Sequence, residues 1–231
     1  MKSHVKAWLC RRRAGLRWRF EMARNRLFDM RCGVETRVVT ALSEQGVPAT
    51  EAAQGNNLYR PIWASEFRHL MKAIDVDPRK FTLVDFGSGK GKVLLLAAEH
   101  GFPKVVGVEY APGLHAVATE NIGNFRRSST CRSEIVAVNA DARRCELPQD
   151  PLVMLMFNPF GAETARAVVE RIEDDYRHNP REMYLLYANR RSVSEIGDAF
   201  AGMEILKPVK TSKHLLLFHA DGADEPGPRL R

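Results

Sequence analysis

Along the chain, apolar residues gather into seven short runs separated by polar or turn-rich stretches. Phe81–Phe86, Lys104–Glu109 and Leu152–Phe157 are short, mostly apolar runs that predict buried strands, the first buried on both faces. Glu134–Val138 and Glu182–Ala188 read as a third and a fifth strand. Met203–Lys207 and His214–His219 read as two closing strands, with an antiparallel pairing open to them. Between these runs the spacing becomes helical, over Ala64–Ile74, through Val93, Leu94, Leu96, Ala97 and Ala98 up to a stop at Gly101, and over Glu163–Tyr176. Strand, glycine turn, helix and strand within residues 81–109 make a βαβ unit. Such a unit implies a right-handed crossover and a ligand crevice at the carboxyl ends of the strands.

The turn in that unit, within "LVDFGSGKGKVLLLAAEHGFPKVVGVEY", has glycines at 87, 89 and 91 beside Lys90 and Lys92. A phosphate-cradling loop needs a glycine, four residues, then Gly-Lys-Ser/Thr, and neither register supplies it. A dinucleotide fingerprint needs a third glycine where Lys92 stands. Asp85, two residues before the first glycine, would repel a pyrophosphate and suits an ammonium instead. Glycines let the backbone pass close to such a ligand. Glu109 ends the next strand near the spacing at which an acid grips ribose hydroxyls. A ribose with a cationic amino-acid tail describes S-adenosylmethionine.

"VDFGSGKGK" followed by "VVGVEY" resembles the first two motifs of class I S-adenosylmethionine-dependent methyltransferases, and the resemblance runs from about Tyr59 to His219. It implies an α/β fold: a Rossmann-like, seven-stranded, mostly parallel sheet with helices on both faces, here preceded by an N-terminal helical extension. It also implies that S-adenosylmethionine is bound by Asp85, Gly87, Ser88, Gly89, Gly91 and Glu109. Asp141 and Ala142, in "NADAR", match the acid and small residue at the adenine edge, and Tyr59 in "NLYRPIW" matches a residue ahead of the fold that closes over the cofactor.

Asn158-Pro159-Phe160-Gly161 follows the fourth strand, where this fold presents its acceptor side. Asn158 offers a polar oxygen to orient a neutral amine, also facing the cofactor, and Phe160 offers a flat wall. Amino-group methyltransferases carry Asn-Pro-Pro-Tyr/Phe here, and this chain has one proline only. The segment also resembles, more loosely, the non-SET histone lysine methyltransferases. In overall pattern, "FDMRCGVETR", "YRP" and "DFGSGKGK" resemble a group of small bacterial methyltransferases. The function implied is N-methylation of an amine or amide by in-line transfer. A noncatalytic S-adenosylmethionine- or nucleic-acid-binding protein and a nucleotide-dependent oxidoreductase stay open beside it. His100 and His115 read as ordinary surface residues rather than catalysts.

The net charge of +7 is unevenly spread. Residues 1–32 carry ten Lys or Arg and two acids, a net of +8, which leaves −1 for residues 33–231. Leu9, Leu16, Phe20 and Leu27 fall on helical spacing with arginines between them, which predicts an amphipathic basic helix. That helix packs its apolar stripe on the core, grips an acidic partner such as RNA or an anionic surface, or serves as an organelle transit segment. Residues 43–57 read as a linker or lid. The chain thus divides into an extension over 1–58, a transfer domain over 59–220 and a disordered tail over 221–231. No apolar run spans a membrane. Cys10, Cys32, Cys131 and Cys145 lack metal-ligand spacing and read as reduced thiols of a cytoplasmic protein without a metal site.

Overall fold

The computed structural model describes residues 2–48, 58–194 and 196–222. In chain order these form α1 (Lys2–Cys32), β1 (Thr40–Ala41), β2 (Leu58–Tyr59), α2 (Ala64–Ile74), β3 (Thr82–Phe86), α3 (Lys92–His100), β4 (Lys104–Glu109) and α4 (Pro112–Ser128). They continue with β5 (Glu134–Asn139), β6 (Leu152–Phe157), α5 (Ala162–His178), β7 (Glu182–Ala188), β8 (Lys207–Thr211) and β9 (Leu215–Asp221). Residues 49–57 of the expected linker and 223–231 of the expected tail lie outside the described residues.

β1 and β2 form a small antiparallel ribbon; the other seven strands form one sheet in the order β5-β4-β3-β6-β7-β9-β8. β9 alone runs against the rest. This is the α/β, Rossmann-like, seven-stranded sheet expected. Side chains alternate across it. Leu83, Val105, Ile135, Val153, Leu155 and Leu186 enter one core with α1 to α4. Val84, Val106, Met154, Leu185, Leu216 and Phe218 enter the other, under α5. Both faces are therefore covered, which is why these strands read as unbroken apolar runs. From Lys92 to Ala98 every residue of α3 is buried, because the helix lies between the sheet and the N-terminal helices. An all-round apolar helix is a buried one.

Two expectations are corrected. Met203–Lys207 is not a strand: β8 begins at Lys207 and runs parallel to β7. Leu206 is buried under the sheet, and the backbone N–H groups of Ile205 and Leu206 donate to Glu173 instead of a ladder. The true strand, "KPVKT", is exposed throughout as befits a sheet edge, with a proline and two lysines that discourage further pairing. The second correction concerns α1, for which one of the three readings packed the apolar stripe on the core: Phe20 and Leu27 are 61% and 66% exposed, so that reading does not hold for them. The inward face is Glu21, Asn25, Phe28, Asp29 and Cys32. The apolar stripe misleads because the core side of this helix is built around a buried ion pair described below.

The chain enters the sheet at β3, steps outward to β4 and β5, then returns on the other side of β3 at β6. The strand order reverses between β3 and β6. Loops leaving their carboxyl ends must diverge there and open a crevice.

Candidate functional site

A cavity of about 530 Å3 occupies that crevice, within the roughly 300–1,000 Å3 usual for small-molecule sites. Every residue expected to bind cofactor or acceptor lines it except Gly91, which caps the start of α3. Gly87 and Gly89 have φ of +75° and +55°, and neither has room for a side chain. A Cβ on Gly87 would lie 2.4 Å from Pro159 Cβ, and one on Gly89 would lie 2.2 Å from Tyr59 Cε2. The glycines thus admit protein neighbours on two sides as well as leaving space for a ligand. Pro159 brings the acceptor-side loop against the glycine loop, and the Tyr59 ring closes the other side.

Asp85, at the end of β3, is 2% exposed. Among the described residues no donor or cation reaches its carboxylate. Burial, and next the negative charge of Glu109, push its pKa well above the ordinary carboxylate range. Glu109 is raised by burial too, but its oxygens accept backbone N–H bonds from Gly89 at 2.7 Å and Ala111 at 2.8 Å, which oppose the shift. The Tyr110 N–H opposes the shift as well, and of a carboxylate's roughly four acceptor sites these backbone bonds leave one for a further donor. Ser88 adds to the cavity wall a buried hydroxyl with no partner among the described residues.

Asp141 lines the far side and is tied to Arg143, whose guanidinium and backbone N–H both donate to it. The Arg143 bonds hold its pKa below the usual range. Ala142 beside it is buried against the second core.

Asn158 stands just past β6 with φ +48°, a left-handed conformation that asparagine tolerates better than most residues. Its Oδ1 accepts from Tyr187 Oη and Asn189 Nδ2, each at 2.9 Å. Asn189 is oriented in turn by the Arg191 N–H donating to its Oδ1, also at 2.9 Å. This chain fixes which end of the Asn158 amide is the oxygen, and both of that oxygen's lone pairs are engaged. Phe160 lines the cavity and packs against the second core.

The ammonium groups of both lysines of the glycine loop are engaged by acids of the N-terminal segment, although Lys92 is also among the residues that line the cavity. Lys92 Nζ pairs with Asp29 at 3.1 Å, both side chains 5% exposed or less, and lies 3.7 Å from the centre of the Phe28 ring. Burial lowers the Lys92 pKa, and Asp29 opposes that shift. Asp29 also accepts from the Thr36 hydroxyl at 2.7 Å and the Thr36 N–H at 3.1 Å. Lys90 pairs with Glu35, and Asn121 of α4 bonds the Glu35 backbone and the Lys90 carbonyl. Tyr59 Oη donates to the Thr36 carbonyl at 2.9 Å. Residues 28–37, "FDMRCGVETR", therefore form a strap that grips the loop from behind. The lysines sit beside glycines and the acids lie in a quoted motif, but nothing local links the two.

Neither His100 nor His115 lines the cavity. His100 packs edge-on against Phe67, and His115 meets the Ala137 carbonyl at 3.3 Å. Among the described residues no group of His, Cys, Asp and Glu is arranged to hold a metal, and no helix is long and apolar enough to cross a membrane.

No protein-family profile matches this sequence, and no curated protein matches it. Solved structures do resemble it. One is a SAM-dependent methyltransferase from Aquifex aeolicus, 13% identical, TM-score 0.48, covering 78% of this chain and 98% of that one. Another is an RNA methyltransferase from Salinibacter ruber in complex with S-adenosyl-L-homocysteine, 15% identical, TM-score 0.45, covering 69% and 92%. A third is magnesium protoporphyrin IX methyltransferase from Synechocystis with bound SAM, 14% identical, TM-score 0.45, covering 68% and 77%.

Proposed function

We propose that this protein is an S-adenosylmethionine-dependent methyltransferase acting on a nitrogen of an amine or amide. The observation that carries the reading is the Asp85 carboxylate, buried on the wall of the cavity with no donor or cation reaching it among the described residues. A lone buried carboxylate is costly, and a ligand ammonium removes that cost. A phosphate-bearing ligand would make it worse. Glu109, on the next strand, then accepts ribose hydroxyls, and Asp141 with Ala142 takes the adenine edge. Gly87, Ser88 and Gly89 border the amino-acid tail, Gly91 starts the helix behind it, and Tyr59 covers it.

When bound, the sulfonium supplies an electrophilic methyl group and departs as a neutral thioether. The chain's own work is to orient and to exclude water, worth up to about 7–11 kcal/mol in favourable cases. Phe160 provides a wall for the acceptor. Asn158 acts by position: its oxygen is held by Tyr187 and Asn189, and its left-handed backbone fixes where the loop faces the cavity. In this reading residues 59–220 carry the transfer site and residues 1–58 are an extension whose strap holds the glycine loop.

Calorimetric titration with S-adenosylhomocysteine, and in parallel with NAD+, tests the proposal. Micromolar binding of S-adenosylhomocysteine, lost in Asp85→Ala and Glu109→Ala variants that still melt cooperatively, is expected. A folded protein that prefers NAD+, or binds neither, overturns it. Incubation of a cell extract with tritium-methyl donor, followed by nuclease or protease digestion, then sorts the acceptor class.

A further inference from the structure

The outer face of α1 takes no part in the transfer site. Phe20, Leu27 and Met30 are more than half exposed there, at 61%, 66% and 69%. Their spacing, i, i+7 and i+10, aligns them in one stripe with Ala23 between them. The stripe lies opposite the buried Glu21, Asn25, Phe28 and Cys32. Exposed apolar residues scattered singly are ordinary, whereas an aligned run on one helix face marks a contact. Arg19 and Arg26 border it on one side and Arg24 on the other, all three exposed, while Arg31, next along that second edge, is ion-paired with Glu99. Both acids of residues 1–32, Glu21 and Asp29, are buried on the inner face. The outer face is thus apolar along its centre and positive along both edges.

We propose that α1 lies flat on an anionic lipid surface, with Phe20, Leu27 and Met30 sunk among the acyl chains and Arg19, Arg24 and Arg26 at the level of the headgroup phosphates. Basic side chains flanking an apolar stripe are the chemistry of an interfacial helix. Arginine near an anionic leaflet is attracted to it over about a Debye length. Nucleic acid would engage the arginines through its phosphates but offers nothing that desolvates Leu27 and Met30. The charge complements either partner, and the exposed stripe decides for lipid.

Co-sedimentation of the full-length protein with vesicles tests this directly. Phosphatidylcholine vesicles with about a third phosphatidylglycerol are expected to bind it at least about tenfold more tightly than phosphatidylcholine alone. Phe20→Glu/Leu27→Glu should abolish binding, and Arg19→Gln/Arg24→Gln/Arg26→Gln should weaken it and flatten its salt dependence. These positions are exposed, so unchanged melting temperatures are expected for both variants. A wild-type protein that stays in the supernatant with anionic vesicles overturns the proposal. Equal vesicle binding by the Phe20→Glu/Leu27→Glu variant does so too. RNA binding tighter than vesicle binding, and indifferent to that variant, would assign the face to nucleic acid instead.

Discussion

Asp85 connects a single side chain to a pH dependence. Its folded pKa lies well above that of an exposed carboxylate, so between the two values the folded protein holds more protons than the unfolded one. Stability of the ligand-free protein therefore falls as pH rises through that window. A ligand ammonium selects the ionised form, and Glu109 shifts in the same sense. The affinity for S-adenosylhomocysteine should rise as pH rises from the ordinary carboxylate range through the raised Asp85 pKa, with protons released on binding. Asp85→Asn should flatten that profile; an unchanged slope in calorimetry would separate Asp85 from ligand binding. At Asn158, replacement by alanine loses both hydrogen bonds and strains the backbone, a cost of about 1–3 kcal/mol in a urea melt. Asn158→Gly should recover the backbone part of that loss without the hydrogen bonds. Asp85 and the glycines were legible because their chemistry is local to one turn. The partners of Asn158 were not, since Tyr187 on β7 and Asn189 just past its end come about 30 positions later.

Among the elements, β3, β4, β6 and β7 were readable because they are largely buried on both faces, and α2 because its apolar spacing is regular. β5, an edge strand with only Ile135 buried, was readable from its run of β-branched residues, whereas the exposed β8 carries no apolar signal. α1 is the helix its spacing predicts, but of the readings open for it the one that packs the apolar stripe on the core does not hold for Phe20 and Leu27. An ion pair on its inner face outweighs the pattern of its leucines, and such a pair is invisible without its partner on α3. Asp29→Ala leaves the Lys92 ammonium buried without a counter-charge, and a destabilisation of about 3–5 kcal/mol is expected. Asp29→Ala/Lys92→Met should restore much of it, and a thermal double-mutant cycle measures the coupling. A smaller clash is set at the loop itself. Gly89→Ala meets the Tyr59 ring at 2.2 Å and has the wrong backbone sign, so S-adenosylhomocysteine binding should be lost. Gly89→Ala/Tyr59→Ala should regain only part of it, because the φ strain remains.

At the scale of the whole molecule, composition reported a charge of +7 and its uneven spread, yet not where the charge points. Burial of Glu21 and Asp29 turns an average into a one-sided field. The extension has two faces, an inner one whose Asp29 and Glu35 hold the glycine loop and an outer one that carries the exposed stripe. Removing residues 1–17 should leave the affinity for S-adenosylhomocysteine within about threefold of the full chain, since the described contacts with the core begin beyond that point. Removing residues 1–36 takes away Asp29, Glu35 and Thr36 and should abolish binding, as a paired calorimetric titration would read.

The Lys92–Asp29 pair joins positions 63 residues apart, and this has a consequence for how the molecule breathes. A glycine turn held only by its own sheet would exchange its amide hydrogens with solvent through small local fluctuations. Here the turn cannot open without exposing a charge that α1 buries, and α1 cannot lift without doing the same. The amides of Gly89 to Lys92 and those of the last turns of α1 should therefore exchange as one cooperative unit, with one opening free energy.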